Sequence, residues 1–147
     1  MPRSHAPGAT GSDYLLDTNV LIELARDSAR GRSINNTRDL SRHPWRCAIS
    51  IVTVGELYSF ALQREWGDRR RKEFTNLLRQ LVWIDIHHDD VLDRYAAIDH
   101  ASRRAGRAMG KNDVWIAATA AASGMILLTG DRDFDHLAPE QLSVEIV

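Results

Sequence analysis

The chain has 147 residues and a formal net charge of −1, a length that fits one domain with a sizeable buried core. Its only cysteine, Cys47, excludes an internal disulfide framework and any multi-cysteine zinc or iron–sulfur site. No stretch approaches the roughly 18 consecutive apolar residues of a membrane span. These features predict a cytoplasmic protein with no membrane partner.

Residues 1–13 contain prolines and glycines but no apolar segment, which excludes a signal peptide and predicts a flexible tail. We therefore expect residues 14–147 to form a single domain. Seventeen of the nineteen Lys and Arg residues are arginine. Guanidinium groups suit phosphate, although an arginine preference set by genome composition explains the count equally well.

The first half of this domain predicts two strand–helix units. The apolar run 14–17 is typical of a strand, and 20–26 of an amphipathic helix. The polar segment 27–44 predicts a loop, with room for a short helix. A second strand at 46–49 precedes apolar residues at helical spacing over 54–64.

The next segment predicts a helix over 68–81 and then a buried, β-branched strand over 82–86. Asp89 or Asp90 is expected to cap a long helix that ends near residue 107.

After a break at 106–110, the alanine-rich stretch 113–123 predicts a helix that ends at Gly124. Residues 125–128 predict a fourth strand, and 143–147 are a candidate fifth. Strands that alternate with helices predict an α/β fold with a mainly parallel sheet of four to five strands covered on both faces. Ligands in such folds bind at the carboxyl ends of the strands.

Two acids lie where this fold places functional groups. Asp17 ends the first strand, and the neighbouring Thr18 and Asn19 can hydrogen-bond to it; the alternative is a turn acid that starts the next helix. Glu56 follows the second strand. It also stands three residues after Thr53, the spacing of a capping box, which requires no metal.

Two further acidic positions follow later strands. Asp113 begins the alanine-rich helix, where the helix dipole alone favours an acid. Asp131, Asp133 and Asp135 follow the fourth strand, and an EF-hand is excluded because His136 stands where that loop requires glycine. Turn acids remain the alternative for Asp133 and Asp135.

The fold brings four of these acids to one edge of the sheet: Asp17, Glu56, Asp113 and Asp131. Clustered carboxylates repel one another, and a hard divalent cation such as Mg²⁺ or Mn²⁺ relieves the repulsion better than a shared proton does. One or two such cations can activate water and neutralise charge on a phosphodiester during in-line displacement. The cluster therefore predicts a metal-dependent nuclease.

Four sequence motifs resemble the PIN-domain family, and within it the VapC toxins of type II toxin–antitoxin systems. They are similar to the family's motifs in order, over about residues 14–140: Leu15-Leu16-Asp17-Thr18-Asn19-Val20, Thr53-Val54-Gly55-Glu56-Leu57, Gly110-Lys111-Asn112-Asp113-Val114-Trp115-Ile116-Ala117-Ala118 and Leu128-Thr129-Gly130-Asp131-Arg132-Asp133-Phe134.

The resemblance implies a three-layer α/β/α sandwich and an endoribonuclease, dependent on Mg²⁺ or Mn²⁺, that hydrolyses RNA phosphodiester bonds, with tRNA or another structured RNA as substrate. It also implies homodimerisation and inhibition by a small VapB-type antitoxin that inserts into the active-site groove. The implied catalytic and metal-binding residues are the four acids, with Asp133 as an alternative or additional ligand beside Asp131. Thr18, Asn19 and Thr129 would support them.

Other residues have weaker functional interpretations. The basic runs 69–72 and 103–107 can contact RNA but usually form solvated helix faces; Lys111 is a better candidate because it lies two residues from Asp113. His87 and His88 are expected to precede a helix cap rather than bind metal.

Tryptophans at 45, 66 and 83 can stack on bases, although Trp83, like Trp115, is expected to pack in the core.

Two competing functions remain. A phosphatase of the haloacid dehalogenase type needs a second aspartate where this chain has Asn19. The other is a catalytically inactive PIN-like module that binds RNA or protein, against which the intact set of acids argues.

Overall fold

The computed structural model describes residues 13–147. The expected tail at 1–13 therefore lies almost entirely outside the described residues. Five strands form one sheet: β1 (Tyr14–Leu16), β2 (Cys47–Ser50), β3 (Val82–Ile84), β4 (Ile126–Thr129) and β5 (Ser143–Ile146). Six α-helices connect or follow them: α1 (Thr18–Ala25), α2 (Ala29–Arg38), α3 (Ile51–Gln63), α4 (Asp68–Arg79), α5 (Asp89–Arg104) and α6 (Lys111–Ser123). Short 3₁₀ helices lie at Pro44–Arg46 and Arg132–Leu137.

The strand order is β3-β2-β1-β4-β5, and every neighbouring pair is parallel. β1 is central, so the chain continues from it toward β2 on one side and returns to β4 on the other. This reversal creates a crevice at the carboxyl ends of β1 and β4, where α/β sheets bind ligands. The predicted α/β fold and the fifth strand are confirmed.

Alternate residues of the central strands face opposite sides of the sheet, as strand geometry requires. Leu15 and Leu127 pack in a core with α5 and α6. Leu16 and Leu128 pack on the other face, in a core to which α1 to α4 contribute. All four leucines are at most 1% exposed, and the three-layer α/β/α sandwich follows.

The segment 27–44, predicted as a loop with room for a short helix, does contain a helix, but α2 occupies ten residues of it and leaves the loop the smaller part. Only Gly31 and Ile34 of this helix are buried, so the segment has almost no apolar periodicity to reveal it. Ser28 caps α2 by accepting a hydrogen bond from the Gly31 amide. Long-range contacts then hold the helix, including the ion pair between Arg38 and Glu145 of β5.

Two predicted helix starts also differ from the structure. α3 begins at Ile51 rather than near residue 54, with Ser50 as its N-cap. α5 begins directly at Asp89, so Asp89 and Asp90 are first-turn acids and neither caps it; the N-cap position is His88, which makes no side-chain capping bond. Acids there still favour the helix through its dipole.

The helix predicted from Asp113 begins two residues earlier, at Lys111, and α5 ends at Arg104 rather than near 107. β3 is a half-buried edge strand rather than a fully buried one. Within residues 13–147, no helix is both long enough and apolar enough to cross a membrane.

Candidate active site

Asp17 lies at the centre of the acidic cluster, directly after β1 and 4% exposed. One carboxylate oxygen, Oδ1, accepts the Thr18 amide at 2.8 Å and thereby caps α1. The other, Oδ2, accepts hydrogen bonds from the Thr129 hydroxyl at 2.7 Å and from the Asn19 side-chain amide at 3.2 Å. Asp17 does start the next helix, as the alternative interpretation held, but its second oxygen is also held by Asn19 of α1 and by Thr129 at the end of β4.

Glu56 reaches the same cluster from inside α3. Because Ser50 caps this helix by accepting the Val52 amide, Thr53 lies within the first turn and Glu56 beyond it, so the capping-box interpretation is wrong. Glu56 Oε1 instead accepts a hydrogen bond of 2.9 Å from the Thr18 hydroxyl. A residue of α1 therefore orients the carboxylate of α3.

The loop after β4 is joined to the loop after β1 by side-chain hydrogen bonds. The Thr129 hydroxyl, which donates to Asp17, also accepts the Asp131 amide at 3.0 Å. The Gly130 amide donates to Asn19 Oδ1 at 2.8 Å. Thr129 and Asn19 thus link the two strand ends that are followed by Asp17 and Asp131.

Asp113 faces the remaining acids from the first turn of α6. Burial and the negative charges of four carboxylates raise its pKa from 3.8 to about 6, with burial the largest cause. The four are Asp17, Asp131, Glu56 and Asp133. Burial also raises the pKa of Asp17, against the hydrogen bonds that lower it. The structure therefore brings together Asp17, Glu56, Asp113, Asp131 and Asp133.

Asp131 and Asp133 both belong to this cluster, while Asp135 does not contribute to it. Asp131 Oδ1 accepts the Asp133 amide at 2.9 Å and caps the short 3₁₀ helix. Asp135 instead lies 3.5 Å from an Arg132 guanidinium nitrogen. For Asp135, the turn-acid interpretation fits.

Of the basic residues considered for RNA contact, the fold places only some beside the acidic cluster. Lys111 is exposed at the first position of α6. A cleft of about 520 Å³ beside Asp113 is lined by Arg107 and Arg132 among others. Sequence analysis missed Arg132, although its place between Asp131 and Asp133 was a usable signal. The run 69–72 lies in the first half of α4, and neither it nor Lys111 lines this cleft.

The four tryptophans were predicted either to pack in the core or to be available for stacking on bases, and the structure agrees with this only in part. Trp83 and Trp115 pack against the two cores, as expected. Trp66 packs between Phe60 and Phe74, with ring centroids at 5.6 and 5.0 Å. Trp45 is 53% exposed, but it precedes β2 and so lies at the amino-terminal edge of the sheet, away from the acids.

Comparisons with known proteins agree with this geometry. Residues 14–139 match the model of the PIN domain. Ribonuclease VapC5 of Mycobacterium tuberculosis is 32% identical over 135 residues, which are 90% of this chain and 93% of that protein. Ribonuclease VapC2 of Haemophilus influenzae is 26% identical over 125 residues, or 84% of this chain and 91% of its own.

Solved structures share the fold. The crystal structure of VapBC2 from Rickettsia felis, bound to a DNA fragment from the promoter, matches with a TM-score of 0.76 and 21% identity over 90% of this chain and 97% of that one. VapBC-5 from Mycobacterium tuberculosis matches with a TM-score of 0.65 and 25% identity over 93% of this chain and 98% of that one. The chain belongs to the PIN-domain family and, within it, to the VapC-type proteins.

Proposed function

We propose that this protein is a divalent-metal-dependent endoribonuclease and the toxin of a type II toxin–antitoxin pair. The observation that carries the proposal is the position of Asp113, whose pKa rises to about 6 because burial and four neighbouring carboxylates disfavour its charge. A cluster that is costly to ionise by itself suits a hard cation. The ribonuclease names of the VapC relatives support RNA as the substrate.

Asp17, Glu56, Asp113 and Asp131 would hold Mg²⁺ or Mn²⁺, with Asp133 beside Asp131 as an alternative or additional ligand. Their oxygen donors suit either ion. Within residues 13–147, no three His, Cys, Asp or Glu side chains already stand in a metal-binding arrangement, so binding an ion would require these carboxylates to rotate toward one another. When bound, the cation would activate water and neutralise charge on the phosphodiester.

The chain's own residues prepare this site. Thr129 and Asn19 hold the Asp17 carboxylate by donating to Oδ2, and Thr18 holds Glu56. These three bonds orient two carboxylates from different elements before substrate arrives, which reduces the ordering that catalysis requires. No serine, cysteine or histidine nucleophile is required in this mechanism.

A VapB-type antitoxin is the proposed partner, supported by the VapBC complexes among the structural neighbours. Exposed apolar residues on α3, including Tyr58 at 53% and Leu62 at 64% exposure, offer surface that suits a protein partner. Homodimerisation, a single domain over 14–147 and a cytoplasmic location complete the proposal. Co-expression with the neighbouring gene should yield a stable complex, and a chain that never captures a partner and is harmless to cells would contradict the toxin role.

The test of activity is cleavage of labelled structured RNA, such as tRNA, with Mg²⁺, Mn²⁺ or EDTA. Asp113→Asn is the sharpest variant, because Asp17→Asn would place an amide against the Thr129 and Asn19 donors. Asp93→Asn, on the exposed face of α5, is the matched control. We expect wild type and Asp93→Asn to cut only with metal and Asp113→Asn to be inactive.

Equal cutting by all three proteins would place the activity elsewhere. RNA binding by the wild type without metal-dependent cleavage would favour the inactive binding module.

A further inference from the structure

A cleft of about 520 Å³ opens beside the acidic cluster, between the loop before α6 and the 3₁₀ helix after β4. Three carboxylates line it, Asp113 and Asp133 of the cluster and also Asp135, and the two basic residues in its lining are Arg107 and Arg132. The cleft therefore joins the proposed metal-binding carboxylates to a pair of guanidinium groups, one from each wall.

Both arginines have donors available for a ligand. Arg132 is 77% exposed, and its only described ion pair is a contact of 3.5 Å with the exposed Asp135, a type that contributes little in water. Arg107 is exposed, and within residues 13–147 its side chain makes no hydrogen bond or ion pair. By contrast, Arg38 and Arg103 are engaged with Glu145 and Asp99.

The two walls of the cleft are tied to one buried residue of α5, Ser102, which is 0% exposed. Its carbonyl accepts the Arg107 amide at 2.8 Å. Its hydroxyl lies 3.3 Å from Met109 Sδ on one wall and 2.8 Å from Nε2 of His136, which belongs to the 3₁₀ helix that begins at Arg132. Ser102 therefore holds the backbone of Arg107 directly, and it contacts the 3₁₀ helix that begins at Arg132 through His136.

We propose that Arg107 and Arg132 bind backbone phosphates of the RNA strand next to the phosphate that is cut. The inference rests on the proposed ribonuclease function and specifies how that site holds its substrate. Asp113 and Asp133 repel an approaching polyanion, so affinity must come from cations near them, and guanidinium forks match phosphate geometry. These arginines are positioning residues: they contact the strand and not the bond that breaks.

The first test measures binding of fluorescently labelled RNA by anisotropy in EDTA, over a series of KCl concentrations. Each lost phosphate contact lowers the slope of log affinity against log salt by about 0.7 for a single strand, so the double variant Arg107→Ala/Arg132→Ala should lose about 1.4 and bind about tenfold more weakly. The matched control is Arg42→Ala/Arg79→Ala, since both residues lie near the amino-terminal edge of the sheet. It should bind like wild type.

Two further variants should not weaken RNA binding as the double alanine variant does. Lysine at both positions keeps the charge and should retain the salt slope. Asp135→Asn removes the carboxylate that competes for Arg132 and should tighten RNA binding by about two- to threefold.

Kinetics with Mg²⁺ distinguish this inference from the function on which it rests. We expect KM to rise in the double alanine variant while kcat changes little. If wild type cuts RNA but the double variant keeps both its KM and its salt slope, the positioning role is overturned. A loss of kcat alone would overturn it as well. If wild type cuts no RNA, the proposed function fails, and the salt slope still reports on the phosphate contacts.

Discussion

The Thr129 hydroxyl donates a hydrogen bond of 2.7 Å to Asp17, although the two residues are 112 positions apart in sequence. The same oxygen accepts the Asp131 amide at 3.0 Å. Because the hydroxyl donates to one acid and accepts from the backbone of another, it holds the ends of β1 and β4 in register at the site. A methyl group of the same size can do neither.

Thr129→Val should therefore weaken both stability and activity. The change leaves the Asp131 amide without its hydrogen bond and leaves Asp17 Oδ2 with only the longer bond from Asn19, at a cost of about 1–3 kcal/mol in the free energy of unfolding. Since the Thr129 bond lowers the pKa of Asp17, its loss should also move the acid limb of the rate profile to higher pH. Urea unfolding and pH-dependent RNA cleavage measure the two effects.

Thr119→Val is the matched control for this experiment. Thr119 is equally buried, but its hydroxyl donates only to the Trp115 carbonyl within α6. The control should keep full activity with a small loss of stability. Thr129→Ser keeps the hydroxyl and should therefore cut RNA like wild type. A Thr129→Val protein that cuts RNA with an unchanged pH profile would contradict the proposed role of the hydroxyl.

Asp113 should make the metal-free protein less stable as pH rises. Its folded pKa of about 6 lies above the ordinary value of 3.8, so the folded state favours the protonated acid. Its contribution to stability is fully present below about pH 4 and is lost as pH rises to about 6. In EDTA, Asp113→Asn should therefore gain stability over wild type between about pH 4 and 6, and keep that advantage above it.

The free energy of unfolding of both proteins is measured with urea across this pH range. The difference between the two values at each pH cancels the contributions of the other titratable groups. Addition of Mg²⁺ at neutral pH should stabilise wild type more than Asp113→Asn, because an ion that binds only the folded state stabilises it by mass action. A difference that does not change with pH would show that neither burial nor the neighbouring carboxylates raise the pKa of Asp113.

The sequence was sufficient to predict that the acids come together, because of where they stand relative to the strands. Asp17 directly follows β1 and Asp131 is the second residue after β4, and topology alone brings the ends of these neighbouring parallel strands together. Glu56 was less certain, since it also matched a capping box. That ambiguity is resolved only by Ser50, which extends α3 backward and moves Glu56 out of the first turn.

The parts that were not predictable depend on long-range contacts. α2 has almost no buried side chains to give it a helical pattern, and it is held by its approach to α1 and by Arg38. Arg132 became a candidate phosphate-binding residue only once the fold placed it in the same cleft as Arg107. The pairing of Arg38 with Glu145 and that of Arg132 with Arg107 both join residues far apart in sequence, so local spacing does not reveal them.

Thr53 provides a test of the corrected start of α3. Its hydroxyl is buried without a hydrogen-bond partner, because Ser50 takes the capping role. Thr53→Val should therefore be neutral or should stabilise the protein by up to about 1 kcal/mol, since no bond is lost and an unpaired buried hydroxyl is removed. If Thr53 were the cap instead, the same change would cost about 1 kcal/mol in thermal or urea unfolding.

Gly31 marks the closest approach of α1 and α2. A Cβ placed there would lie 2.2 Å from the Glu23 carbonyl oxygen and 2.7 Å from its carbon, both backbone atoms that cannot rotate away. Gly31→Ala should therefore force the two helices apart and destabilise the protein by about 1–3 kcal/mol. The matched control is Gly55→Ala in α3, where a Cβ meets nothing within 4 Å. This substitution should stabilise the helix by about 0.5–1 kcal/mol. Urea unfolding of the two variants should shift in opposite directions, and a Gly31→Ala protein as stable as wild type would show that α2 does not pack against α1 at this residue.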